Sequence, residues 1–311
     1  MNMQASNTIL MIEPVAFGFN EETAENNYFQ QKDNTESSEI QQKALSEFNQ
    51  MTDKLRQKGI RLLIVKDTPM AHTPDSIFPN NWVSFHEDGR IALYPMYAEN
   101  RRKERRTDIL EQLEQVGFQI SNIVDYTSNE TTGKFLEGTG SMILDRENNI
   151  AYAALSERTD KNLFLTFCKD FDFEAVFFKA NQTVEGQRLP IYHTNVMMCV
   201  ADKYAVVCLN TIDDAQEREN VAGILKKSGK ETIEISEEQM HNFAGNMLQV
   251  KNNVGESFLV MSQSTFDSLS EKQRETLSSY NEIIAVNIPT VEKYGGGSAR
   301  CMMAEVFLPG K

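Results

Sequence analysis

The feature that most constrains the fold is a hairpin pattern that recurs four times along the chain. Each copy has two β-prone apolar runs around a polar or glycine-bearing turn, as a β-hairpin requires. The copies cover residues 82–94, 141–153, 195–209 and 246–260, so successive starts lie 59, 54 and 51 residues apart. One more step of similar length reaches Cys301, and we expect the apolar run at 8–12 to pair with that last segment and close a ring.

Helix-like stretches separate the hairpins, and short apolar strands follow several of them. The helix-like stretches cover 37–58, 105–116, 160–170, 213–227 and 265–280, and strands are expected at 60–65 and 283–287. Five hairpin-helix-strand units of about 50 residues predict an α/β fold built as a closed radial repeat. A doubly wound sheet is the alternative, but it would show single strands between the helices. No linker-like tract interrupts the chain, so we predict a single catalytic domain over 1–311.

Composition excludes several classes of function. The net charge of −14 argues against nucleic-acid binding, which depends on basic patches. No apolar run approaches the roughly 20 residues that span a bilayer, and the four cysteines form no closely spaced pair, so we expect a cytoplasmic, reduced protein. The one basic run, at 101–106, is interpreted as a solvated face, with a substrate-entry or oligomer contact as the alternative. The sequence leaves a homo-oligomer open.

Cys301 is the candidate nucleophile. It follows three consecutive glycines at 295–297, which give the backbone conformational freedom and let a ligand approach the main chain closely. Arg300 beside it would favour the thiolate, which is the reactive form of cysteine. A buried structural cysteine next to a flexible turn is the alternative interpretation.

Polar residues stand at or just before the start of each hairpin. In chain order they are Asp75, Asn80, Asn81, Glu137, His193, Asn246 and Cys301. If the units form a ring, equivalent positions converge at its centre and bring a nucleophile, a histidine, a carboxylate and amides together. Taken singly, Glu137 could be a turn residue, Asp75 a capping residue and His193 a core histidine. Their common phase in the repeat favours a catalytic site.

The residues resemble the guanidino-group-modifying enzymes, which include arginine deiminases, dimethylarginine hydrolases, arginine dihydrolases and glycine amidinotransferases. The matching motifs occur in order over nearly the whole chain: PDSIFPNN at 74–81, EGTG at 137–140, LSERT at 155–159, HTN at 193–195 and GSARCM at 297–302. The bacterial citrulline utilization hydrolases, an amidinotransferase-like branch, are the most similar in motif wording. The resemblance implies a five-bladed α/β propeller, in agreement with the radial repeat.

The resemblance also implies roles for individual residues. Cys301 would be the nucleophile and His193 the general acid and base, while Glu137 would orient the histidine or a substrate nitrogen. Arg158, with its planar guanidinium, would hold the substrate carboxylate. The remaining substrate-binding residues would be Asp75, Asn81, Asn195 and Arg300.

Two positions depart from the pattern of that group. Enzymes that bind a guanidinium cation usually place aspartates where this chain has Asn81 and Asn195. Asparagine offers an acceptor and two donors without charge, which suits the carbonyl oxygen of a neutral ureido group. The expected reaction is therefore cysteine-dependent hydrolysis of citrulline to ornithine, carbon dioxide and ammonia. Asp75 keeps arginine open, through a deiminase or dihydrolase reaction.

Other outcomes stay open on the sequence. An amidinotransferase would pass the group to an amine, and a catalytically silent binding protein would leave metabolites unchanged. The histidines and cysteines lack metal-ligand spacing, so we predict a small amino-acid substrate with no metal and no cofactor. The segment at 20–34 is a candidate lid.

Overall fold

The chain has a mixed α/β fold made of small sheets. The computed structural model describes residues 3–68 and 72–311. Its strands are, in chain order, β1 (Thr8–Glu13), β2 (Arg61–Lys66), β3 (Val83–Phe85), β4 (Arg90–Leu93), β5 (Asn122–Asp125), β6 (Ile143–Asp145), β7 (Ile150–Ala154), β8 (Glu174–Phe178), β9 (Asn181–Val184), β10 (Gln187–Pro190), β11 (Met198–Val200), β12 (Tyr204–Val207), β13 (Glu231–Glu234), β14 (Leu248–Lys251), β15 (Ser257–Ser262), β16 (Glu282–Val286) and β17 (Ala304–Glu305).

Within residues 3–68 and 72–311, five three-stranded sheets share one topology. In each, one outer strand pairs antiparallel with the central strand and the other outer strand runs parallel to it. The sheets are β17–β1–β2, β3–β4–β5, β6–β7–β8, β11–β12–β13 and β14–β15–β16, and β9 with β10 forms a separate ribbon. The four hairpins predicted from the sequence are therefore confirmed. Their arrangement around a common axis, and the single domain over 1–311, stay predictions.

The amino-terminal strand completes the sheet that follows Cys301. Leu10 in β1 pairs with Ala304 in the antiparallel strand β17 and with Leu63 in the parallel strand β2. The predicted pairing of the two ends of the chain is confirmed. The consequence is that the backbone leaving Cys301 is fixed on the first strand of the protein.

Helices form in all five stretches in which the sequence predicts them, with shifted ends, and also outside those stretches, at 138–141, 237–241 and 289–295. They are α1 (Ser37–Gln57), α2 (Asp108–Gln115), α3 (Gly138–Ser141), α4 (Lys161–Asp170), α5 (Ala215–Lys227), α6 (Glu237–His241), α7 (Gln263–Ser268), α8 (Glu271–Tyr280) and α9 (Pro289–Gly295). The stretch expected as one helix at 265–280 is divided, because Ser270 begins a new helix in a capping box with Gln273. Across residues 3–68 and 72–311, none of the helices is both long and apolar enough to span a bilayer.

Short helical turns bring the starts of the hairpins together. The 3₁₀ helix Pro79–Asn81 precedes β3, α3 precedes β6, and the 3₁₀ helix Thr194–Val196 precedes β11. α3 contacts both 3₁₀ helices, while β11 contacts β6 and β14, and β17 contacts β3. The polar residues at these starts therefore lie near one another, although 50 or more residues separate them in the sequence.

Apolar packing surrounds this meeting point. One buried cluster joins Ile9 of β1, Phe48 of α1, Val260 of β15 and Val291 of α9 to Cys301. Burial of apolar surface contributes about 25 cal/mol per Å² to the stability of the folded chain. The packing of this cluster therefore holds in place the turn that carries the cysteine.

Candidate active site

Cys301 lies in a turn between α9 and β17. Its N–H donates to the carbonyl oxygen of Ser298 at 3.0 Å, and only 3% of the residue is exposed. Gly296 ends α9 with a φ of +61°, a left-handed conformation that glycine adopts without strain. A methyl group on Gly295 would lie 2.8 Å from the Phe78 ring, so this glycine is needed for close packing. The glycine run thus places the cysteine turn against the loop at 74–81.

Two asparagine amides donate to the cysteine sulfur. Asn195 Nδ2 lies 3.3 Å and Asn246 Nδ2 3.2 Å from Cys301 Sγ. The Asn246 amide has one orientation, because its Oδ1 accepts the backbone N–H of Arg300 at 3.1 Å. Its Nδ2 then donates one N–H to Cys301 Sγ and the other to the Asn195 carbonyl oxygen at 3.0 Å. Two N–H donors are therefore aimed at the sulfur, the atom with which a nucleophilic cysteine attacks.

His193 and Glu137 form a buried hydrogen-bonded pair. His193 Nε2 lies 2.7 Å from Glu137 Oε2, and both residues are at most 2% exposed. Burial raises the pKa of Glu137, but the Arg158 guanidinium and the His193 hydrogen bond outweigh it and lower the pKa to about 2. Glu137 is thus an ionised acceptor, so Nε2 carries the proton and Nδ1 keeps its lone pair. Burial lowers the pKa of His193 to about 4, although Glu137 opposes this shift.

Arg101 is buried beside these groups, which corrects the interpretation of the basic run at 101–106. Arg101 is 2% exposed and makes a two-bond contact with the equally buried Glu104, with Nε to Oε1 and Nη2 to Oε2 both at 2.9 Å. Its Nε lies 3.7 Å from Asp75 Oδ2 and its Nη1 3.9 Å from Glu137 Oε2. The solvated-face interpretation is therefore wrong for this residue, because a cluster of carboxylates holds it inside.

The amide of Asn81 also has one orientation. Arg101 Nη1 donates to Asn81 Oδ1 at 3.0 Å, and a guanidinium has no acceptor, so the amide oxygen must face it. Asn81 Nδ2 faces the other way: a methyl group on Gly140 would lie 2.3 Å from it and 2.8 Å from His193 Nδ1. Gly140 therefore leaves the space in which Asn81 presents N–H donors beside the imidazole.

Several polar atoms of this cluster are buried without a hydrogen-bond partner in the described parts of the chain. They are Asp75 Oδ1, Asn80 Oδ1, Asn81 Nδ2 and Asn195 Oδ1. Asp75 Oδ2, by contrast, accepts from Asn20 Nδ2 at 2.7 Å. A buried polar group without a partner costs about 1–3 kcal/mol, so such a cluster indicates a place where a ligand supplies the missing bonds.

Arg158 lies at the same site, beneath the segment at 20–34. Its Nε donates to Asn26 Oδ1 at 2.8 Å and its Nη2 to the Thr23 carbonyl oxygen at 2.9 Å, while Nη1 lies 3.6 Å from Glu137 Oε2. The guanidinium also stands 5.0 Å from the centre of the Tyr192 ring, a cation–π contact. The candidate lid thus holds the residue expected to bind the substrate carboxylate.

Arg300 points away from this cluster. Its guanidinium donates to the carbonyl oxygen of Met303 at 2.8 Å and to Glu305 Oε2 at 3.1 Å. Only its backbone N–H, through Asn246, takes part in the arrangement around the thiol. A role of its side chain in substrate binding stays a prediction without support from these contacts.

Sequence reasoning missed part of the arrangement. No motif marks Asn20 or Asn26, because each contacts a residue 55 or more positions away in the sequence. No motif marks Arg101 either, because it lies inside a charged run. Asn246 had a signal, because it opens the fourth hairpin. Within residues 3–68 and 72–311, no group of three or more His, Cys, Asp or Glu side chains could hold a metal ion.

Comparison with known protein families gives one match in sequence. The family described as N,N dimethylarginine dimethylhydrolase, eukaryotic, matches residues 13–308. No curated protein matched the chain in sequence.

Solved structures share the fold. The cyanobacterial arginine dihydrolase ArgZ superposes with a TM-score of 0.73 and 18% identity over 98% of this chain. This chain spans 41% of that ArgZ chain but 99% of its N-terminal domain, which has been solved with a covalently bound reaction intermediate. AgrE in complex with ornithine and NAD⁺ has a TM-score of 0.71 and 17% identity over 98% of this chain and 40% of its own. A dimethylarginine dimethylaminohydrolase adduct with S-methyl-L-thiocitrulline has a TM-score of 0.60 and 13% identity, and covers 96% of this chain and 99% of its own.

Proposed function

We propose a hydrolytic reaction for this chain on the premise that it belongs to the N,N-dimethylarginine dimethylhydrolase family, which residues 13–308 match. The chain is accordingly a hydrolase of C–N bonds in the amidinotransferase superfamily. We propose that Cys301, His193 and Glu137 carry out the chemistry. The substrate that the geometry supports best is citrulline, whose ureido group is neutral.

The five sheets are proposed to form a five-bladed propeller with this site at its axis. Support comes from the shared strand topology and from the contacts that link β17 to β3, β6 to β11, and β11 to β14. The hydrogen bond from Lys251 N–H at the end of β14 to the Ser6 carbonyl oxygen joins the last hairpin to the chain before β1. A ring of sheets explains why residues in equivalent repeat positions meet.

One observation carries the choice of citrulline: the fixed amide of Asn81. Because Arg101 occupies the Asn81 oxygen, the site presents N–H donors beside His193. A guanidinium consists only of donors and gains nothing from them, whereas a ureido oxygen is an acceptor. That oxygen gains negative charge when the thiolate attacks its carbon, so a donor aimed at it stabilises the transition state more than the ground state.

The first half of the proposed reaction forms a covalent intermediate. The Cys301 thiol gives its proton to His193 Nδ1, and the sulfur forms a bond to the ureido carbon. Glu137 stabilises the imidazolium that results, through the hydrogen bond at Nε2. His193 then protonates the departing δ-nitrogen, so the C–N bond breaks, ornithine leaves and an S-carbamoyl group stays on Cys301.

Water completes the proposed reaction. Neutral His193 takes a proton from water, which attacks the S-carbamoyl carbon, and then returns a proton to the sulfur as the C–S bond breaks. The carbamic acid that is released divides into carbon dioxide and ammonia. The sum is citrulline and one water giving ornithine, carbon dioxide and ammonia, without oxidation or reduction.

Substrate entry is proposed to open the segment at 20–34. Asn20 and Thr23 donate to Asp75 Oδ2 at 2.7 and 3.3 Å, and Asn26 holds Arg158. The α-amino and α-carboxylate groups of an amino acid would take over these contacts at Asp75 and Arg158. The segment would then close over the bound molecule and exclude water.

Arginine or a methylated arginine is the second candidate substrate, because unpartnered acceptors also face the cluster. Asp75 Oδ1 and Asn195 Oδ1 are buried without partners in the described residues, and both could accept from a guanidinium. ArgZ, which shares the fold, is an arginine dihydrolase. A dihydrolase would bind the cation first and a ureido intermediate second.

The test is to incubate purified protein separately with citrulline, arginine and asymmetric dimethylarginine, and to measure ornithine, citrulline and ammonia. We expect ornithine and ammonia from citrulline without an added amine. Conversion of arginine or dimethylarginine to citrulline, with no action on citrulline, would refute the ureido proposal and assign the chain to the guanidinium hydrolases. Ornithine that forms from arginine only when glycine is present would indicate an amidinotransferase.

A further inference from the structure

A cavity lies apart from the catalytic cluster. It has a volume of about 390 Å³ and is bounded by the segment at 28–31, by β9, and by the residues around α6 and α9. None of its lining residues belongs to the set around Cys301 and His193. Its volume is in the range of small-molecule sites, about 300–1,000 Å³.

Aromatic rings form one wall of this cavity. The Phe29 ring lies 5.2 Å from that of Phe243 and 5.8 Å from that of His241, measured between ring centres, and Tyr28 stands at the rim with 38% exposure. The faces of such rings carry negative charge density and attract organic cations.

A buried carboxylate lies at the same cavity. Glu292 is 8% exposed, and its carboxylate accepts from the hydroxyls of Ser264 and Ser298 at 2.9 and 2.7 Å. Within the described residues no cationic side chain lies within 4.0 Å of it, because the neighbouring Lys293 pairs with Asp33. A buried carboxylate is costly without a cation, so a cationic ligand would be stabilised here.

Gln182 adds a requirement for an acceptor. The residue is 1% exposed and lines the cavity, and its Oε1 lies 3.3 Å from His241 Nε2. Its Nε2 has no hydrogen-bond partner in the part of the chain that the structure describes. A ligand that filled the cavity would satisfy this donor with a carboxylate or carbonyl oxygen.

We propose that this cavity is a second binding site, which takes an amino acid with a cationic side chain. The ammonium or guanidinium end lies against the aromatic wall and Glu292, and the carboxylate accepts from Gln182. A neutral molecule would lack the contact with the aromatic wall and Glu292, and a purely cationic molecule would lack the contact with Gln182.

The site is connected to the catalytic turn and to the covering segment. Glu292 accepts from Ser298, whose carbonyl oxygen accepts the N–H of Cys301 at 3.0 Å. On the other side, the Gln31 N–H donates to the Lys293 carbonyl oxygen at 2.7 Å. A molecule in the cavity would therefore contact both the helix that leads to the catalytic turn and the covering segment.

Isothermal titration of the full chain with L-ornithine tests the proposal without reference to turnover. We expect two equivalents in the unmodified protein. Glu292→Gln should weaken one equivalent about tenfold, since a charge-assisted contact is lost. Gln182→Met should weaken the same equivalent about three- to tenfold, and Gln50→Met, an exposed glutamine on α1, should weaken neither. Tyr28→Ala, which changes the exposed rim and not the core, should also weaken this equivalent.

The outcomes separate this site from the catalytic one. A single equivalent that none of the three cavity variants weakens overturns the second site. A single equivalent that Glu292→Gln and Gln182→Met both weaken supports the cavity and counts against ornithine as a product released from the catalytic cluster. With 1,4-diaminobutane, which lacks the carboxylate, we expect weaker binding that Gln182→Met leaves unchanged; equal affinity of the two probes would refute the role of Gln182.

Discussion

The replacement Asn81→Asp tests the reasoning on substrate charge at a single atom. The two side chains have nearly the same shape, so one carboxylate oxygen would stay on Arg101 Nη1, where Asn81 Oδ1 lies at 3.0 Å. The other oxygen would replace Nδ2 beside Gly140 and His193. The site would therefore lose its N–H donors and gain a charged acceptor, while the contact with Arg101 would become charge-assisted. We expect the variant to fold.

The expected magnitude follows from what each substrate loses or gains. Loss of one donor to a developing oxyanion costs about 10²–10³ in rate, or about 2.7–4 kcal/mol, so kcat/KM for citrulline should fall by this factor. A guanidinium gains a charged hydrogen bond worth about 1.5–3 kcal/mol, roughly ten- to a hundredfold. The ratio of kcat/KM for citrulline to that for arginine should therefore fall by at least about 10³.

The assay is steady-state release of ornithine from citrulline, with loss of arginine followed in parallel. Asn80→Asp is the matched control, because it adds the same charge one residue away but replaces only Nδ2, which faces Thr139 Oγ1 at 3.3 Å, and keeps an oxygen in the place of the unpartnered Oδ1. We expect that control to change the ratio by less than about tenfold, or 1.4 kcal/mol. An Asn81→Asp variant that keeps the original ratio, or that changes it no more than Asn80→Asp does, would refute the argument from amide orientation.

Three further predictions concern the thiol, the imidazole and acid stability. Asn246→Ala should lower kcat by about 10² with little change in KM and should slow alkylation of Cys301 by iodoacetamide, since the sulfur loses a donor at 3.2 Å; unchanged alkylation would contradict this role. Glu137→Gln should lower kcat by about 10²–10⁴. Because the Glu137 carboxylate raises the pKa of His193, the acid limb of the pH–rate profile, expected near pH 4, should move to lower pH in this variant. An acid limb at the same pH in both proteins would show that Glu137 has a merely structural role. Burial lowers the pKa of His193 from 6.5 to about 4, so between these pH values the folded chain binds fewer protons than the unfolded chain. The contribution to the free energy of unfolding, about 3 kcal/mol, should be complete above pH 6.5 and lost as the pH falls to 4. Denaturant unfolding across this pH range should show the loss in the unmodified protein and not in His193→Gln.

The strands could be predicted from the sequence more accurately than the surroundings of individual side chains. Each hairpin is a local pattern, since two apolar runs and a turn lie within about 15 residues, and local patterns can be read without the fold. Arg101 shows the limit. In sequence it belongs to a run of charges, which is usually solvated, but Asp75, Glu104 and Asn81 enclose it. Two of these partners lie 20 or more residues away, so no local pattern could reveal the burial.

The roles of the amides show the same limit in another form. Sequence alone could identify Asn81 and Asn195 as departures from the aspartates of similar enzymes. It could not tell which end of each amide faces a substrate, because that depends on Arg101 in one case and on the cysteine sulfur in the other. Only the hydrogen-bond network distinguishes a donor from an acceptor at these positions.

The distribution of unpartnered polar atoms is the strongest argument that the cluster is functional. Within the described residues, seven buried side-chain atoms have no partner, and four of them belong to the loops around Asp75, Asn81 and Asn195. At about 1–3 kcal/mol each, four such atoms cost an amount comparable with the whole stability of a typical domain, about 5–15 kcal/mol. Apolar residues of similar size would remove that cost if these positions served only the fold. Four of the seven atoms lie together, beside a thiol with two amide donors and a histidine paired with a carboxylate, where the proposed substrate would offset their cost.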